Sequence, residues 1–157
     1  MNTPVEQDKL LLLQSVPMPS PDASDPLVFA NERRVLLVYR IAPSNFEQFG
    51  PFNDDEEPFC LVHFTNAAFH QSGPPNDEEL DSHPLAAKGL RWYSAYECLN
   101  PTLVGELWSA PAGPVTRRHF IFTFRDSTFE CVAADCDLAG VYASGDVASR
   151  EAFSLLG

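Results

Sequence analysis

The chain is short of basic residues: 10 Lys and Arg stand against 22 Asp and Glu, a formal net charge of −12 at pH 7. That deficit removes the usual route to nucleic-acid binding, in which Lys and Arg displace the counterions of the phosphate backbone. It disfavours an anionic membrane surface for the same reason. Long apolar runs are missing as well. Leu10 to Leu13 are soon followed by Pro17, Pro19 and Pro21, and no stretch approaches the roughly 18–20 apolar residues of a membrane span. No basic region precedes the leucines and no small-residue cleavage site follows them, so no secretory leader is expected. Closely paired cysteines are absent too. Cys60, Cys98, Cys131 and Cys136 form no C-x-x-C pair, which argues against a zinc site. Each lies in or beside an apolar run, as a small buried hydrophobe does. Reduced thiols and a cytoplasmic location are the expectation. There is no P-loop, no G-x-G-x-x-G and no G-x-S-x-G, so no cofactor or metal is expected.

What is present fits one domain spanning residues 1–157, with 45% hydrophobic residues to fill a core. The most informative stretch is Arg118-His-Phe-Ile-Phe-Thr-Phe-Arg-Asp-Ser-Thr-Phe-Glu-Cys-Val-Ala-Ala134. Phe120, Phe122 and Phe124 alternate with other residues, and Phe129, Cys131 and Ala133 do so again after Asp126-Ser127. This is the pattern of two half-buried strands and a turn. Further strands are expected over Lys9 to Val16, Leu27 to Ala30, Arg34 to Ala42, Phe59 to Phe69 and Arg91 to Leu99. Asn100-Pro101 reads as an N-cap before a short helix reaching Trp108, ended by Pro111, Gly113 and Pro114. Ser144-Gly145-Asp146 opens a last helix with Ala148, Ala152, Leu155 and Leu156 as its apolar stripe. Most connections are too short for parallel crossovers. The expected class is α+β: a curved antiparallel sheet of about six or seven strands, half-barrel-like, with one or two packed short helices.

Three groups of residues are candidates for function. The face of the hairpin opposite the phenylalanines carries His119, Thr123, Arg125, Thr128 and Glu130, and Thr123 is expected to face Glu130 across a tight turn. His, Arg and Glu at that spacing suit acid–base work or ligand binding; they equally suit a solvated sheet face. Asp126 fits a turn-stabilising residue. The second group is His63, His70, Asp77, Glu78, Glu79 and His83. No tight His spacing supports a metal there, and an Asn76 cap with His83 anchoring the loop is the simpler reading. The third is the acidic run Asp54-Asp55-Glu56-Glu57. Residues 1–80 hold 13 acids against 4 bases, so this half can offer a negative surface to a basic protein partner. Trp92, Ser94 and Tyr96 would share one strand face, read as core.

Two stretches, Gly73-Pro-Pro-Asn-Asp-Glu-Glu-Leu-Asp-Ser-His-Pro-Leu-Ala-Ala-Lys-Gly-Leu90 and His119 to Ala133, resemble a group of small, mostly uncharacterised bacterial proteins. The resemblance covers about residue 58 to residue 134 and carries over no activity and no site residue. Arg125 stands where that group is expected to hold a histidine, so a catalytic role of that histidine would be impaired here. The leading functional expectation is a non-enzymatic cytoplasmic interaction protein, such as an immunity or inhibitor protein meeting a basic partner through Asp54, Asp55, Glu56 and Glu57. The alternative is a small-ligand binder or hydrolytic enzyme using His63, His83, His119, Asp126 and Glu130.

Overall fold

In the computed structural model, residues 7–22, 26–99, 101–107 and 117–157 are described. The phenylalanine-rich stretch forms β7 (Arg118–Thr123) and β8 (Thr128–Ala133). The amide of Phe124 donates to the carbonyl of Ser127 at 2.9 Å, leaving Arg125 and Asp126 as a two-residue turn. The turn is tight without glycine. It does shift the expected pairing, because Thr123 faces Thr128 and Glu130 faces Ile121.

Around this hairpin the strands β1 (Lys9–Leu12), β6 (Ala95–Leu99) and β5 (Phe69–Gly73) complete one sheet in the order β1-β6-β7-β8-β5. A second sheet has the order β2-β3-β4-β9, built from β2 (Leu27–Ala30), β3 (Arg34–Arg40), β4 (Phe59–Thr65) and β9 (Asp135–Tyr142). The class is α+β and all pairings are antiparallel. Instead of one curved sheet, the described residues form nine strands in two packed sheets that do not close into a barrel.

Alternation explains the packing. Val35, Leu37 and Tyr39 on β3, with Cys60, Val62 and Phe64 on β4, point toward Phe120, Phe122, Phe129 and Cys131 of the first sheet. Phe64 is fully buried, and its ring centre lies 5.9, 5.7 and 5.5 Å from those of Phe120, Phe122 and Phe129. These are the offset and edge-on distances that aromatic rings favour. The opposite face of the second sheet, Leu36, Val38 and Leu61, is covered by α3 (Gly145–Leu156) through Ala148 and Ala152. Two alanines let the helix approach the sheet closely. Leu155 leaves the expected stripe and stays partly exposed. Ser144 caps α3, its hydroxyl oxygen accepting from the Val147 amide at 3.2 Å. Replacing it in Ser144→Ala is expected to remove about 1 kcal/mol of stability, readable as a lower urea midpoint with an unchanged slope.

The outer face of the first sheet is covered by a chain segment whose helical parts are two short 3-10 turns, Leu80–Ser82 and Ala86–Lys88. Leu80, Leu85 and Leu90, from the loop after β5, pack on Tyr96, Cys98 and Ile121. The loop is tied down by polar contacts. Thr128 donates to the Pro75 carbonyl at 2.9 Å, Thr123 to the Arg91 carbonyl at 2.7 Å, and the Asp77 amide to the Arg125 carbonyl at 2.9 Å. Both threonines are buried, and the loop carbonyls satisfy hydroxyls that would otherwise be costly to bury. Gly89 takes φ of 99° where the loop turns back, a conformation that favours glycine. The hairpin face expected to be solvated is therefore roofed, and Arg125 lies exposed at the turn.

Boundaries depart from expectation for local reasons. β4 ends at Thr65 because Asn66 turns at φ 51°, and β6 begins only at Ala95 because Tyr93 turns likewise. Trp92 is 56% exposed, not core, with its indole N–H on the Asp77 carbonyl at 2.6 Å. The segment between β3 and the acidic run Asp54-Asp55-Glu56-Glu57 contains α1 (Phe46–Phe49), whose Phe46 is buried. Helix α2 spans Thr102–Leu107; Asn100, Trp108, Pro111, Gly113 and Pro114 lie outside the described residues. Among the described residues no helix is long and apolar enough to cross a membrane.

Candidate functional site

His119 sits on β7 with its side chain on the roofed face, and Glu130 sits diagonally from it on β8. Strand geometry puts such diagonal neighbours within reach of long side chains. The His119 Nε2 atom lies 2.9 Å from Glu130 Oε1. His83 comes down from the roof, its Nε2 3.4 Å from Glu130 Oε2. The tautomer of His83 follows from its other nitrogen: Nδ1 accepts from the Leu85 amide at 3.0 Å, so Nε2 carries the proton that faces the carboxylate. One carboxylate thus aligns two imidazoles. Burial alone would raise the Glu130 pKa. Hydrogen bonds from His119 and then His83, with their charge attraction, outweigh it and hold the group at about 2. Each oxygen of the Glu130 fork faces one of these two rings.

His119 is only 2% exposed, and its Nδ1 has no hydrogen-bond partner among the described residues. A buried ring nitrogen with a carboxylate on the opposite nitrogen is arranged to accept a proton or a hydrogen bond. It lies at a pocket of about 340 Å³ whose walls include Phe69, Leu85 and Leu103, with His83, Glu130 and Asp8 as polar groups. Asp8 precedes β1 and takes φ of 56°, a left-handed conformation that Asp tolerates better than most residues. Its carboxylate accepts from the Thr102 amide at 2.7 Å, from the Thr102 hydroxyl, and from the Cys98 thiol at 3.5 Å. It therefore satisfies an open amide at the start of α2 from a sequence distance of 94 residues. Partial burial pulls the Asp8 pKa up, but the Thr102 and Cys98 donors prevail and hold it below the ordinary value.

Of the five residues expected as a His/Asp/Glu site, the structure brings His83, His119 and Glu130 together and leaves two elsewhere. His63 is on β4 in the other sheet, paired across to Asp137 and Leu36. Burial, then the charge of Arg34, lowers its pKa against the opposing pull of Asp137. Asp126 is at the hairpin tip, 3.2 Å from the Arg125 guanidinium. His70 is exposed on the edge strand β5. Asn76 and His83 do take the structural roles expected of them, since the Asn76 side chain accepts from the Glu79 amide at 2.9 Å. Asp54, Asp55, Glu56 and Glu57 are all exposed; Glu56 accepts from the Asn53 amide at 2.9 Å, and Glu57 lies 3.6 Å from Arg40. Sequence reasoning missed Asp8, Phe69, Thr102 and Leu103, whose part in the site depends on contacts far along the chain. No three His, Cys, Asp or Glu among the described residues form a group suited to a metal ion.

No protein-family model, no curated protein and no solved structure matches this chain. Residues 73–90 and 119–133, the two motif stretches of the sequence, meet here: the loop bearing His83 and the hairpin bearing His119 and Glu130.

The cysteines offer no nucleophile. All four are free and buried. Burial pushes the Cys60 and Cys131 thiols up to about 12, and burial with the adjacent Asp8 does the same for Cys98. Cys136 is also raised, by burial first. Since the thiolate is the reactive form, iodoacetamide at pH 8 is expected to leave all four unmodified in the folded protein while labelling all four in urea. Fast labelling of any cysteine in the folded protein would contradict this assignment.

Proposed function

We propose that the chain binds a small organic ligand in the pocket between the His83 loop, the outer face of β7 and β8, and the start of α2. The observation that carries this reading is the convergence of His83, His119 and Glu130 on one pocket, with His119 Nδ1 unused. Solvated sheet faces do not bury and align two imidazoles on one carboxylate, and pockets with apolar walls and a few converging polar groups are the usual form of ligand sites. In the same place His119 is positioned to take a proton from a bound molecule, with Glu130 stabilising the imidazolium, so proton-transfer or hydrolytic chemistry belongs to this reading. The test is a screen of cationic, neutral and anionic fragments, read from the ring nitrogens of His83 and His119 by nitrogen-detected NMR. At least one chemical class is expected to shift both rings. If every fragment leaves both rings unmoved, the reading is wrong.

A second reading rests on the exposed turn at Asp54 and Asp55. Among the described residues these two carboxylates have neither a hydrogen-bond nor an ion-pair partner, unlike Glu56 and Glu57. They support a cytoplasmic role as an immunity or inhibitor-type protein that docks a basic partner by charge complementarity. Capture of a basic protein that weakens with salt, and is lost when residues 54–57 are changed to Asn and Gln, is the expected result. Capture unaffected by those changes would remove it. Kinship with the small bacterial proteins is likewise a proposal, resting on the two motif stretches that build the pocket.

A further inference from the structure

The polar groups around the pocket are unequal in sign. Asp8 and Glu130 are carboxylates, and no Lys or Arg lines the pocket among the described residues. Each oxygen of Glu130 faces one imidazole, His119 or His83. Asp8 is only partly used: three donors reach it, from Thr102 and Cys98, and Oδ2 receives just one of them. An ionised carboxylate accepts about four hydrogen bonds, so Oδ2 keeps an open position. His119 stands opposite Cys98 in the β6–β7 pairing, and Cys98 is the residue whose thiol touches Asp8. The ring commits Nε2 to Glu130 on the β8 side, while Asp8 is held over the β6 side. Two acceptors with open positions, the buried His119 Nδ1 and Asp8 Oδ2, thus belong to neighbouring groups, and the Glu130 carboxylate and the Gln71 amide line the same pocket.

Resting on the ligand-binding reading, we propose that the ligand is a small organic ammonium whose N–H groups bond His119 Nδ1 and the Asp8 carboxylate while its hydrocarbon part packs on Phe69, Leu85 and Leu103. A cation with several donors matches a pocket that presents acceptors and negative charge. A carboxylate or phosphate would enter against Asp8 and Glu130 with no Lys or Arg among the described lining residues to receive it, which is unfavourable in a partly buried site. A neutral alcohol supplies one donor and no charge, and it forgoes the stronger charge-assisted bond. The pocket of about 340 Å³ limits the ligand to small-molecule size.

Three probes of similar shape separate these cases: benzylammonium, benzyl alcohol and benzoate, each titrated while the His119 and His83 ring nitrogens are followed by NMR. Benzylammonium is expected to shift the His119 ring and to bind about tenfold or more tighter than benzyl alcohol, with benzoate leaving both rings unmoved. Asp8→Asn is expected to erase the preference for the cation, so that benzylammonium binds no tighter than benzyl alcohol. Because Asp8 also holds the start of α2, Thr102→Val serves as the companion variant: it loosens the same contact, keeps the charge, and should keep the preference. Benzoate binding as tightly as benzylammonium, silence of His119 toward benzylammonium, or equal loss of preference in both variants would overturn the inference. If other fragments still shift the two rings, only the ligand class is wrong. If no fragment does, the pocket reading falls with it.

Discussion

Phe64→Ala is expected to remove about 3–5 kcal/mol of folding stability, the range for truncating a fully buried phenylalanine. Phe64 belongs to the second sheet, yet three of its ring neighbours, Phe120, Phe122 and Phe129, belong to the first. The ring therefore bridges the two layers. Its loss leaves a void enclosed by rigid strands that have little freedom to collapse inward, since each strand is held by ladders on both sides. A domain of ordinary size has only about 5–15 kcal/mol to lose, so the variant should sit close to its unfolding threshold. Equilibrium urea unfolding would show a much lower midpoint. A loss under about 1 kcal/mol would mean that the sheets relax together and that the aromatic cluster is not the centre of the core.

How much of this was legible in the sequence differs by element, and the reason is burial. Arg34 to Arg40 reads as a strand because both of its faces are covered: Val35, Leu37 and Tyr39 by the other sheet, Leu36 and Val38 by α3. The hairpin reads as a hairpin because its inner face is aromatic. β5 and β9 were not legible. Each is the last strand of its sheet, and an edge strand with an exposed face can carry His70, Gln71 and Ser72, or Asp135, Asp137 and Gly140, without losing its ladder. Apolar alternation is then too weak to see. With those two strands hidden, the division into two sheets was hidden as well.

The site divides in the same way. His119 and Glu130 were legible because period-two alternation puts them on one face, even though the exact pairing was shifted by the turn. His83 was legible as a loop anchor and as a candidate for one site with His119 and Glu130, but its contact with Glu130 was not, because the fall of a loop onto a sheet is decided by Leu80, Leu85 and Leu90 finding an apolar surface. Asp8 had no local signal at all. Its role comes from Thr102, and only the closed fold brings them together.

Glu130→Gln is expected to cost about 2–3 kcal/mol near neutral pH, because a charge-accepting fork for two buried imidazoles is replaced by a neutral amide. The amide oxygen can serve one ring, but its NH₂ group is a donor and meets the N–H of the other. The cost should depend on pH in a defined direction. The Glu130 pKa falls from the ordinary 4.5 to about 2 in the folded chain. A depressed carboxyl pKa contributes stability that is fully present above the unfolded value and is lost as pH falls through the folded one. The wild-type protein should therefore lose about 3 kcal/mol from this group between about pH 4.5 and pH 2, and the glutamine variant should not. Unfolding free energies measured for both proteins across that range are expected to converge as the pH drops. A gap that stays constant down to pH 2 would show that Glu130 is not held ionised by His119 and His83, and that the carboxylate aligning the two rings has been misassigned.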